Sequence, residues 1–177
     1  MRFVRCFAAA ILAGTVLVVT AGGISAKDAN PITSGLPVPR FVSLKSDHVN
    51  VRVGPTKDND VSFIYTRSSL PVEITAEFEN WRRIRDSEGS EGWVYHSLLS
   101  GRRTAVVTAK AKEDLTPLYD RDDASSSVAA KLEPGVLATV RRCSGGSGGW
   151  CRISGSGFDG WIEQQRLWGV YPDEKID

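Results

Sequence analysis

The chain alternates between apolar and polar positions. Val49, Val51 and Val53 are separated by Asn50 and Arg52, and Val72, Ile74, Ala76 and Phe78 by Glu73, Thr75 and Glu77. A period of two in β-branched residues predicts strands with one buried face. No stretch sustains the 3.6-residue period of a capped helix. Turn residues recur at short intervals: Gly54-Pro55, Pro71, Gly89, Gly92, Gly101, Pro134-Gly135, Gly145-Gly146, Gly155 and Gly157. Short strands between such turns predict an all-β barrel or sandwich.

The long apolar run, Phe7 to Thr20, follows the positive charges of Arg2 and Arg5 and precedes small residues ending at Ala26. That order predicts a secretory signal peptide over residues 1–26, cut after Ala26. Read instead as a retained anchor, the run falls short of the ~20 residues a span needs. Cys6 precedes the run and leaves with it. No later segment is apolar enough to span a membrane, so no integral membrane segment is expected after cleavage.

The remainder repeats. Trp81-Arg82-Arg83-Ile84 and Trp150-Cys151-Arg152-Ile153 both read Trp-x-Arg-Ile, and Gly92-Trp93-Val94 returns as Gly160-Trp161-Ile162. Trp81 to Trp150 is an offset of 69; Gly92 to Gly160, Trp93 to Trp161 and Leu99 to Leu167 are each 68. A near-constant offset between anchors, several of them tryptophan, marks an internal duplication. Residues 27–39 then form a flexible lead rich in Pro, Ser and Gly, 40–103 the first unit, 104–171 the second and 172–177 a tail. Units this small sit near the lower limit for burying a core. Trp93 and Trp161 are therefore assigned to the cores, each following its Gly onto a return strand.

Composition removes several functions. Without Arg2 and Arg5 the 22 basic residues fall one short of the 21 acids, so nothing favours nucleic acid or an anionic membrane as partner. The pairs Arg102-Arg103 and Arg141-Arg142 read as solvated strand edges. No metal-spaced cluster, phosphate loop or cofactor motif occurs. Cys143 and Cys151 remain in the exported part, an even count that predicts a disulfide; the alternative, a catalytic thiol, would need His48 or His96 from the other half. Aligning the hairpins sets Glu77 against Cys143 and Arg82 against Cys151. The first unit then holds a cross-strand ion pair where the second holds its bond, which clamps the base of a longer Gly-rich loop.

Asn50-Val51-Arg52-Val53-Gly54-Pro55, Pro71-Val72-Glu73-Ile74, Trp81-Arg82-Arg83-Ile84, Gly92-Trp93-Val94 and Ser97-Leu98-Leu99 together resemble the bacterial SH3-like (SH3b) family across the whole first unit. The resemblance implies a fold of two tandem small SH3-like β-barrels after the cleaved signal peptide, in a protein of the periplasm or secreted. The second unit departs from the pattern: Thr116 to Arg121 stands where the first has Asn50 to Pro55, and the Gly-Pro turn is missing. The resemblance implies a non-catalytic binding module of the envelope whose partner is a cell-wall peptide. A protein–protein adaptor serving another periplasmic protein is the alternative, and an enzyme is not expected.

Within the first unit, Arg52, Tyr65, Trp81 and Tyr95 are the candidate ligand residues. Arg52 points away from the face of Val51 and Val53; it is either paired with Asp47 or Glu73, or placed to fork onto a ligand carboxylate. Trp81 lies three residues before Ile84, so the two cannot share a face of a regular strand. It serves either a groove or packing, and Tyr65 and Tyr95 would complete an aromatic groove for an extended peptide.

Overall fold

The computed structural model describes residues 33–108 and 114–177. The leader expected over residues 1–26 lies outside the described residues.

The first unit contains β1 (Arg40–Leu44), β2 (Val49–Arg52), β3 (Val61–Tyr65), β4 (Pro71–Phe78), β5 (Trp81–Arg85), β6 (Glu91–Tyr95) and β7 (Leu99–Ser100). The second contains β8 (Thr104–Val107), β9 (Thr116–Tyr119), β10 (Val128–Leu132), β11 (Leu137–Ser144), β12 (Trp150–Gly155), β13 (Phe158–Glu163) and β14 (Leu167–Trp168). Strand order in the first sheet is β3-β2-β6-β5-β4-β1-β7 and in the second β10-β9-β13-β12-β11-β8-β14. Replacing each strand by its counterpart seven places on converts one order into the other. The duplication thus extends to every pairing, and the fold is two tandem SH3-like barrels. A 3-10 turn precedes the last short strand in both, His96–Leu98 and Gln164–Arg166.

Each sheet curls around an aliphatic core. Val49, Val51, Val72, Ile74, Ile84 and Val94 fill the first, and Leu118, Val140, Ile153 and Ile162 the second. Period two explains the choice. On β6 Gly92 and Val94 face inward, so Trp93 faces outward; on β13 Gly160 and Ile162 do the same to Trp161. Both tryptophans are half-buried on the outer surface, and their assignment to the cores is corrected. Val53 also departs from its alternation. A bulge after Val51 ends β2 at Arg52, leaving Val53 64 % exposed. A second bulge between Ile74 and Ala76 shifts β4, and Phe78 is exposed.

Both ends of the described chain are tied down. Ser34, within the expected flexible lead, donates from its backbone N–H and its hydroxyl to the Glu77 carboxylate. The expected tail contains β15 (Lys175–Ile176), which pairs with β11 opposite Cys143 and Ser144.

Candidate binding site

Three of the four predicted ligand residues share one outer face of the first barrel. Register places Arg52 opposite Trp93 and Trp93 opposite Arg83. The next row holds Trp81 opposite Tyr95, their rings edge-to-face with centroids 5.4 Å apart. Trp81 faces away from the core cluster, as its odd spacing from Ile84 requires. Yet it is only 8 % exposed, so it backs the face more than it lines a groove. Arg52 pairs with neither Asp47 nor Glu73. Its Nη1 donates to the Asn59 carbonyl at 2.6 Å, closing the loop that begins at Gly54. Its Nη2 has no partner among the described residues. Tyr65 lies elsewhere: it packs against the core, and its hydroxyl donates to Asp86 at 2.8 Å. Burial, and then that bond, push the phenol above its ordinary pKa. Asp86 also accepts the N–H groups of Glu88 and Ser90, so Tyr65 braces the β5–β6 turn.

The second barrel keeps this face with two residues exchanged. Tyr119 pairs with Trp161, and Trp161 with Arg152. Tyr119 therefore occupies the place of Arg52, and Leu118, in the core, that of Val51. The sequence alignment of Thr116 with Asn50 was one residue out. Glu163 stands opposite Trp150, where the first barrel has Tyr95. An edge-to-face pair survives, because Trp150 meets Tyr119 at 5.4 Å. The turn survives too, without Gly-Pro. The Asp120 N–H donates to the Ser127 carbonyl as Val53 does to Asp60, and the Ser126 hydroxyl closes onto the carbonyls of Arg121 and Asp123.

At the β4–β5 hairpin, Glu77 pairs with Arg82 at 3.1 Å, the carboxylate also taking Arg40. On the corresponding rung Cys143 and Cys151 form a disulfide inside the second core. The expected exchange of an ion pair for a covalent bond is what the two hairpins contain.

The barrels meet directly, which the sequence did not indicate. The outer row Phe41, Glu73 and Arg85 of the first faces the segment after β14. Phe41 meets Trp168 edge-to-face and Tyr171 at a tilt, with centroids 5.2 and 4.7 Å away. The Tyr171 hydroxyl donates to one oxygen of Glu73 at 2.9 Å, while Arg85 holds the other. Beside this junction opens a cleft of about 610 Å³, walled by Phe41, Trp168 and Tyr171, the Gly146–Trp150 loop and Gln164. The loop lies so close that a Cβ on Gly149 would sit 2.5 Å from Gln164 Oε1. Among the described residues no His, Cys, Asp or Glu group is arranged to hold a metal, and no helix is long and apolar enough to cross a membrane.

The Bacterial SH3 domain family matches the sequence twice, at residues 45–101 and 112–169. The chain belongs to the bacterial SH3 domain family. Both matches fall on the two sheets, and the second holds although its turn box has changed. No curated protein matches the chain in sequence. Among solved structures, NlpC1 from Trichomonas vaginalis is 14 % identical with a TM-score of 0.30, the match covering 76 % of this chain and 47 % of that one. NlpC2 from the same organism is 13 % identical with a TM-score of 0.31, covering 75 % of this chain and 49 % of that one. The chain thus spans about half the length of either structure. At these TM-scores the likeness says nothing of what this SH3 pair does.

Proposed function

We propose that this bacterial SH3 pair is a non-catalytic binding module of the cell envelope, and that its ligand is a cell-wall peptide held on the outer face of the first barrel. The row Arg52–Trp93–Arg83 carries this reading. A half-buried indole flanked by Arg52 and Arg83 offers a flat apolar strip; Arg83 is held by Glu91 at 2.6 Å, so Arg52 is the cation left for a ligand carboxylate. An extended peptide bearing carboxylates matches that strip. Arg52 brings its unpartnered Nη2, Tyr95 widens the strip, and Trp81 supports it from beneath. Tyr65 braces the neighbouring turn. Both the disulfide and the family suit an extracytoplasmic protein.

Co-sedimentation of residues 27–177 with purified sacculi tests the reading. Retention above a control protein is expected, and Arg52→Ala with Trp93→Ala should abolish it. Retention no greater than the control removes the wall ligand. It would leave an adaptor for another envelope protein, a second reading favoured by the fixed junction, which presents both barrels as one surface.

A further inference from the structure

We propose that the cleft between the barrels is a second binding site, for a peptide segment carrying a free side-chain ammonium group. Its volume, about 610 Å³, falls in the range that holds small ligands. Two of its polar atoms lack partners among the described residues, Gln164 Oε1 and Trp168 Nε1. Gln164 is only 5 % exposed, and both its Nε2 hydrogens are committed to the carbonyls of Tyr171 and Glu174. The amide orientation is therefore fixed, and the free atom is an acceptor. Trp168 offers the opposite, a free N–H. A buried acceptor and a buried donor on residues lining one cleft suit a ligand with both, as every peptide unit has.

Charge decides the side chain. Glu73 is spent on Arg85 and Tyr171. Glu163 accepts from Gln165 and Arg166 through Oε2 alone, leaving Oε1 without a partner among the described residues. The Asp173 carboxylate is exposed and also without a partner there. Arg166 offsets Glu163 in an ion pair at 3.4 Å, so the rim's remaining charge is that of Asp173; it is negative, and a carboxylate is disfavoured and an ammonium favoured. The preference is opposite to that of the Arg52 face, and the site stands independently of the proposed wall ligand.

The test is a titration of the disulfide-intact chain with acetyl-Ala-Lys-Ala-amide, followed by the indole N–H resonances. Saturable shifts at Trp168 and Trp150 are expected. The norleucine counterpart, which keeps the chain and removes the charge, should bind at least tenfold more weakly. Glu163→Gln with Asp173→Asn should weaken the lysine peptide by a similar factor. Equal binding of the norleucine peptide, or no saturable shift, overturns the proposal. So does undiminished affinity in the double variant with a native spectrum. If that variant does not fold, the lysine–norleucine comparison on the unmodified chain decides alone. Sacculus binding that depends on Arg52 and Trp93, alongside failure here, would remove the cleft site and leave the wall ligand standing.

Discussion

At Gly92 the backbone of β6 crosses β2 with no room for a side chain: a Cβ would lie 2.9 Å from the Arg52 carbonyl oxygen and closer still to Val51. A backbone oxygen cannot swing away as a side chain can. Gly92→Ala should therefore destabilise the first barrel by about 2 kcal/mol, seen as a lower urea midpoint with an unchanged slope. The Gly-Trp dipeptide announced its strand in the sequence. Its physical meaning was partly inverted there, since the Gly takes the inward position and sends the Trp out. Glu77 is a second residue whose environment is specific. Its side chain is 3 % exposed. Burial pushes its carboxyl up, but the hydrogen bonds from Ser34 and Arg40 outweigh burial and hold it at about 2, against an ordinary 4.5. A depressed carboxylate adds stability that is complete above its unfolded pKa and is lost as pH falls through the folded one. The first barrel should thus weaken between about pH 5 and pH 2. Glu77→Gln should flatten that dependence in thermal melts across this window. It should also cost about 3 kcal/mol at neutral pH, because Arg40 and Arg82 lose their counter-charge.

At the scale of elements, one hairpin is built by two chemistries. The β4–β5 hairpin holds its rung with a buried ion pair, and β11–β12 holds the same rung with Cys143–Cys151. The longer loop from Ser144 to Trp150 carries Gly145, Gly146 and Gly148 at positive φ, a conformation that favours glycine. Such a loop costs entropy to order, and the bond at its base limits that cost in the unfolded chain. Cys143→Ala with Cys151→Ala should lower stability by roughly 2 to 3 kcal/mol for so short a loop, read as a lower midpoint of the molecule's single urea transition. This exchange was legible because the two halves could be aligned from Ile84 and Ile153. The β9 turn was not. Its Gly-Pro signal is replaced by Asp123 and Ser126, whose side-chain hydrogen bonds make the turn without a marked dipeptide. Bulges in β2 and β4 were also hidden, since an extra residue in a ladder leaves no mark in an alternating pattern.

Across the whole molecule, the decisive contacts join residues far apart in the chain. Phe41 lies between Trp168 and Tyr171, and Tyr171 reaches Glu73. Burial, and then the Glu73 bond, raise the Tyr171 phenol above its ordinary pKa, so the clasp stays neutral and closed through the physiological range. Glu174 fastens the same segment to Arg103. Phe41→Ala should uncouple the barrels, turning a single calorimetric transition into two. No local period carries such a junction: Phe41 and Trp168 lie on the outer faces of different barrels, and only the folded register sets them together. Two barrels and their duplication were therefore legible, and Arg52, Trp81 and Tyr95 do share a face, whereas Trp93 at the centre of that face, which the sequence assigned to the core, and the cleft were not. The proposal with the widest reach is that the first barrel's outer face takes a cell-wall peptide. The most direct measurement is a binding isotherm of the intact chain on purified sacculi, run beside Arg52→Ala/Trp93→Ala. Saturable binding is expected, lost in the double variant while its fold and melting curve persist. Binding that is absent, or that survives in the folded variant, would contradict it.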